Sequence, residues 1–267
     1  MKNILVLVHD DDGQEARLQV ALDVTRAVDG HLHCLDVTIF PLEISATDGG
    51  NTAAALLADE YGQECTNKAR LEERLPHEDV PWDWVDACGS LTTCITDAAS
   101  LADLIVVNRK LDSWPVPDML NTAADLILRS RKPILAVPED ARGLNVCGHA
   151  LVAWDGSQAA TAAMRAAIPL LKFANAVTLL EIEDGAIETP AEEAAAYLSR
   201  EDIHALIRRE KAVKHSVADR LCAEARSGVF SYIVMGGYGH SRIREALFGG
   251  VTRQILSQSA VPVLLAH

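Results

Sequence analysis

The chain has 267 residues, of which 49% are hydrophobic, and a formal net charge of −14 from 24 Lys+Arg against 38 Asp+Glu. That is enough apolar sequence for a substantial core in one or two domains. The acidic balance, with no basic run, excludes a nucleic-acid or anionic-membrane surface, since each needs clustered positive charge.

In chain order, strands are predicted over 4–8, 31–37, 82–87, 104–108 and 133–137, alternating with helices over 15–28, 52–74, 92–101 and 119–129. From Gly148 the same order returns, with strands over 150–154, 177–182, 203–207, 232–235 and 262–265 and helices over 159–173, 191–198, 217–226 and 252–256. The two runs agree closely at their ends, where Lys132-Pro133-Ile134-Leu135-Ala136-Val137 is answered by Val261-Pro262-Val263-Leu264-Leu265. Continuously apolar strands separated by helices imply a parallel sheet covered on both faces. The expected fold is therefore α/β, two tandem Rossmann-like domains over 1–140 and 148–267, each a five-stranded parallel sheet with helices on both faces. The acidic, alanine-rich stretch 184–200 is shorter than its first-half counterpart, which predicts a shorter covering helix there.

The strongest functional signal is Gly236-Gly237-Tyr238-Gly239 directly behind the apolar run Tyr232-Ile233-Val234-Met235, with Gly249-Gly250-Val251-Thr252 further on. A strand ending in glycines that crosses a loop into a helix presents backbone N–H groups at the positive end of a helix dipole, which suits phosphate. Asp155, before Gly156-Ser157 at the end of the first strand of the second half, would stand at the same sheet edge. A carboxylate there suits an adenine amino group or a ribose hydroxyl. Taken singly, the glycines also fit tight turns and Asp155 fits a turn or helix cap; their coincidence favours a nucleotide.

These residues resemble the universal stress proteins, specifically the tandem-domain type. That family's nucleotide-binding members carry Gly-x2-Gly-x9-Gly followed by Ser or Thr, together with an Asp at the end of the first strand. Gly236, Gly239 and Gly249 fit the spacing and Asp155 fits the acid. The resemblance places Ile182 beside an adenine, Met235 at the end of the strand that leads into the glycines, and Gly250, Val251 and Thr252 at the phosphates. Gly250 departs from the pattern's Ser or Thr, which removes a hydroxyl donor worth roughly 1 kcal/mol but keeps the backbone N–H. The resemblance implies an adenine-nucleotide α-hydrolase-like fold and a cytoplasmic, stress-responsive regulatory protein. Its ligand would be ATP, ADP or AMP, with Mg2+ held through the phosphates.

The first half has lost this chemistry, with Asn108, Leu111 and Leu120 against Gly236, Gly239 and Gly249, and His9 against Asp155. One nucleotide site per chain is expected, with the first half a structural or partner-binding copy. His240, Ser241, Arg242 and Arg244, between the glycine clusters, are within reach of phosphates but fit solvated loop residues as well. No catalytic residue is assigned, because no general base or phosphate-clamping lysine accompanies the loop, and at most slow hydrolysis is expected. The alternatives are a nucleotide-free scaffold and a slow ATP hydrolase. Strands 132–137 and 261–265 would pair the two halves within one chain, leaving other surface for a homodimer.

Elsewhere, His31 and His33 share one face of a strand, as metal ligands can, but Cys34 points away and the sequence offers no further ligand, so no metal site is expected. Asp10-Asp11-Asp12, between a strand and a helix, fits solvation and capping. Six cysteines without a CxxC pair read as reduced core residues of a cytosolic protein. No apolar run reaches a membrane span, and residues 1–8 are too short for a signal sequence and read as a core strand.

Overall fold

The computed structural model describes residues 1–39, 51–109, 119–183, 189–211, 217–237 and 250–267. The first run comprises β1 (Asn3–Val8), α1 (Gln14–Ala27), β2 (His31–Ile39), α2 (Asn51–Arg74), β3 (Trp82–Gly89), α3 (Leu91–Ala98), β4 (Leu104–Asn108), α4 (Met119–Ser130) and β5 (Ile134–Val137). The second comprises β6 (His149–Trp154), α5 (Gln158–Leu171), β7 (Ala176–Glu183), α6 (Ala191–Ser199), β8 (Ala205–Lys211), α7 (Val217–Arg226), β9 (Tyr232–Gly236), α8 (Gly250–Gln258) and β10 (Val263–Ala266).

The ten strands among the described residues form one sheet in the order β3-β2-β1-β4-β5-β10-β9-β6-β7-β8. Every pairing is parallel except β5 with β10, where Leu135 stands opposite Leu264. The expected pair of five-stranded sheets is thus fused into one. Because the junction is antiparallel, the carboxyl ends of the parallel strands point to opposite rims of the sheet in the two runs. In each run the strand order reverses beside its first strand, between β1 and β4 and between β6 and β9. A ligand of an open parallel sheet binds at such a reversal.

The pleat explains why the strands are apolar throughout. Ile4, Val6 and Val8 point into one core with α1, α2, α5 and α6, while Leu5 and Leu7 point into the other with α3, α4, α7 and α8. Burying one such side chain stabilises by about 1.5–3 kcal/mol, so a charge on either face needs a partner. The helix over β7 and β8 is short, 9 residues in α6 against 24 in α2.

Two expectations need correction. β8 runs over Ala205–Lys211 rather than 203–207, because pairing with β7 continues to Glu183 opposite Lys211 and carries the polar Arg208–Lys211 end into the ladder. The cysteines are not uniformly core residues: Cys34 and Cys222 are buried, but Cys65, Cys88 and Cys147 are exposed, and all six are free thiols. Cys65 lies on α2 and Cys88 on edge strand β3, so tertiary placement rather than neighbouring hydrophobicity decides their exposure. Burial and the nearby Asp83 charge push the Cys34 thiol up to about 12. Among the described residues no helix is long and apolar enough to cross a membrane.

Candidate functional site

The site grows from the carboxyl ends of β9, β6 and β7. Register pairs Val152 with Val234 and Trp154 with Glu181, so Gly236, Asp155 and Ile182 end three adjacent strands at the second strand-order reversal. Met235 is buried just below this edge, and Ile182 packs partly buried against the same core.

The turn after β6 is built locally. Ser157 N–H donates to Asp155 Oδ1 at 3.0 Å, and Ser157 Oγ accepts from Ala160 N–H at 3.1 Å, capping α5. Asp155 is exposed and commits one carboxylate oxygen to this turn. Gly156 adopts φ +76°, and a Cβ there would lie 2.1 Å from the Thr189 backbone nitrogen. Trp154 Nε1–H donates to Thr189 O at 2.8 Å, so the chain entering α6 is laid directly over the end of β6. Buried Glu181 completes that approach: its Oε2 accepts from Ala191 N–H at 3.0 Å and its Oε1 from Arg209 Nε–H at 2.7 Å.

Gly236 has a packing reason for being glycine. A Cβ there would meet Ala160 N at 2.6 Å and Ala159 C at 2.8 Å, both backbone atoms at the start of α5. Gly237 N–H donates to Ala266 O at 2.8 Å, and its carbonyl accepts from His267 Nδ1 at 3.0 Å. Gly250 differs, since among the described residues nothing lies within 4 Å of where its Cβ would be; it is the first described residue of α8. Val251 packs against the core and Thr252 is buried. Gly239 and Gly249 lie outside the described residues, as do His240, Ser241, Arg242 and Arg244.

The first strand-order reversal is filled instead. Gly13 faces Asn108 as Ala159 faces Gly236: a Cβ on Gly13 would lie 2.2 Å from Asn108 Nδ2. The glycine has changed sides of the same contact. Four residues further along α1 stands Arg17, fully buried, where α5 has Ala163. Its guanidinium donates to Leu7 O, to Asn108 Oδ1, to His9 O at 3.1 Å and to Asp11 Oδ2 at 2.8 Å. Asp11 therefore neutralises Arg17 rather than capping α1, whose cap residue is Gly13 without a side-chain bond. Leu111 lies outside the described residues, and of Leu120 only its place in α4 is described.

His9 belongs to a second buried group. Its Nδ1 lies 2.6 Å from Glu64 Oε1 of α2. Burial pulls the His9 pKa down, but the hydrogen bond and charge of Glu64, with the charge of Asp11, outweigh it and raise it above its ordinary value. Burial likewise raises Glu64, yet His9, Asp10 N–H and Asn67 together bring it below the carboxylate range. Asp36, on β2, is pushed up to about 8 by burial first and then by the charge of Glu64. At neutral pH Asp36 keeps its proton beside the Glu64 carboxyl that pairs with His9. The sequence reading missed Arg17, Asp36, Glu64 and Glu181; for Asp36 and Glu181 the available signal was a charged residue inside an otherwise apolar strand, whereas Arg17 and Glu64 stand in mixed helical sequence that carries no such signal.

Residues 148–267 match the model of the universal stress protein family. Over nearly its whole length the chain is similar in fold to a universal stress protein from Archaeoglobus fulgidus, with 15% identity, a TM-score of 0.74, and 99% of this chain and 95% of that one covered. A functionally unknown protein from Pseudomonas aeruginosa PAO1 is similar at 18% identity and a TM-score of 0.59, covering 100% of this chain and 92% of that one. At these identities the likeness is one of fold. No curated protein matches the chain.

Proposed function

We propose that the universal stress protein domain at residues 148–267 binds an adenine nucleotide, ATP foremost with ADP or AMP as alternatives, and acts as a nucleotide-responsive regulatory module. The observation that carries the reading is the contrast between the two strand-order reversals. At the first, Arg17, Asn108 and Asp11 fill the sheet edge with a closed network. At the second, the same positions hold Ala163 and Gly236, Asp155 stands exposed, and no described atom lies within 4 Å of where a Cβ on Gly250 would stand.

In this reading Asp155 and Ile182 take the adenosine end. Gly236, Gly239, Gly249, Gly250, Val251 and Thr252 take the phosphates through backbone N–H groups and one hydroxyl. Mg2+ arrives with the phosphates and keeps most of its water ligands. No described group is placed as a base for the γ-phosphate, which favours a switch or sensor over rapid turnover.

The test is to denature protein purified without added nucleotide, identify the released small molecules by mass detection, and titrate the emptied chain with Mg2+–ATP by calorimetry. About one adenine nucleotide per chain is expected, with binding abolished by Gly239→Val or Gly249→Val. An empty chain that also takes up no ATP would establish the second reading, a nucleotide-free scaffold. The packing role of Gly236 and the turn role of Asp155 favour that alternative.

A further inference from the structure

On the face of the sheet shared with α3, three side chains with metal-binding chemistry converge. His31 and His33 are two residues apart on β2 and so project from the same face. The third ligand that sequence alone could not supply comes from the neighbouring strand. Parallel register sets His33 opposite Asp83 of β3, whose carboxylate reaches both rings, Oδ1 to His33 Nδ1 at 2.8 Å and Oδ2 to His31 Nε2 at 3.2 Å. The imidazole centroids are 4.8 Å apart, and one donor atom from each residue lies within 4.8 Å of the other two.

We propose that His31, His33 and Asp83 form a binding site for a divalent cation of the zinc class, with water completing the coordination. Zinc takes nitrogen and carboxylate oxygen at about 2.0–2.2 Å, so tetrahedral donors sit about 3.3–3.6 Å from one another. The two Asp83–imidazole separations, 3.2 and 2.8 Å, stand near that spacing, and side-chain rotation would bring the whole donor set, now within 4.8 Å, to it. Two imidazoles and one carboxylate suit zinc or its late first-row neighbours, whereas calcium and magnesium prefer all-oxygen sets. Access is open: α3 is only 8 residues long, and the three side chains are 37%, 32% and 49% exposed. The sheet register gives Ala176, Thr178 and Leu206 at the corresponding places of the second half, so the site belongs to the first half alone. A bound cation would tie edge strand β3 to β2.

The experiment is calorimetric titration of the full, reduced chain with zinc chloride in a buffer that does not chelate. In parallel, NMR follows the histidine ring resonances and amide exchange along β3. Saturable uptake of one zinc is expected, with the His31 and His33 rings shifting and the β3 amides exchanging more slowly. His33→Gln and Asp83→Asn, both surface changes, should each weaken binding roughly tenfold or more. A Cys65→Ser, Cys88→Ser, Cys147→Ser variant should bind as the parent does. No uptake by the parent chain would overturn the proposal and leave Asp83 as a plain hydrogen-bond acceptor. Uptake that survives His33→Gln but is lost with the three cysteines would overturn it equally.

Discussion

Replacing Gly236 by alanine separates the packing demand on the glycine edge from any demand made by a ligand. The added Cβ would meet Ala160 N at 2.6 Å and Ala159 C at 2.8 Å, and neither backbone atom can move without shifting the start of α5. Overpacking of this kind costs about 1–3 kcal/mol. In a chain of this size each kcal/mol lowers Tm by roughly 2–4 °C, so a fall of about 4–8 °C is expected from a cost near 2 kcal/mol. Adding Ala159→Gly removes only the 3.0 Å contact with the Ala159 side chain and should restore a minor part of the loss. Gly250→Ala is the control, since its Cβ meets nothing within 4 Å and stability should change by less than about 0.5 kcal/mol. Differential scanning calorimetry on the three variants, without nucleotide, decides the matter. A Gly236→Ala protein melting within about 1 °C of the parent would refute the packing argument and return this glycine to ligand approach alone.

Other outcomes follow from the buried polar groups. Arg17→Met strands the Asp11 carboxylate, whose side chain is 3% exposed, and should cost about 3–5 kcal/mol in urea unfolding. Asp36 carries a pKa raised to about 8, so the folded chain holds a proton that the unfolded chain releases near pH 4, and stability declines between those values. Asp36→Asn should remove up to about 1.4 kcal/mol per pH unit of that decline, seen as a flatter urea-midpoint profile from pH 5 to 8. The raised His9 pKa acts in the same direction: its contribution is full below its unfolded value and is lost as pH rises through the folded one. Glu64, lowered, loses its contribution as pH falls through its folded value. Gly156→Ala combines φ +76° with a 2.1 Å approach to Thr189 N, and should cost about 2 kcal/mol or more by thermal melting.

Most of the fold was legible in the sequence because its signal is local. A strand covered on both faces must be apolar at every position, as in Ile4 to Val8 and Tyr232 to Met235, and a helix between two such strands forces a parallel crossover. The glycines after Met235 and the Asp-Gly-Ser turn after Trp154 were equally readable, since their chemistry is that of the residues themselves. What the sequence withheld depends on partners distant along the chain. Arg17 reaches Asn108, His9 reaches Glu64, and Asp83 reaches His31 and His33, each pair at least 50 positions apart along the chain, a distance that no local pattern encodes. The same holds for Gly236, whose requirement comes from the approach of α5. Composition and periodicity settle which surfaces must be buried, because that free energy is nearly additive over residues. Which polar groups meet, and whether the place beside the strand-order reversal holds Arg17 or Ala163, is decided only when the strands take their places.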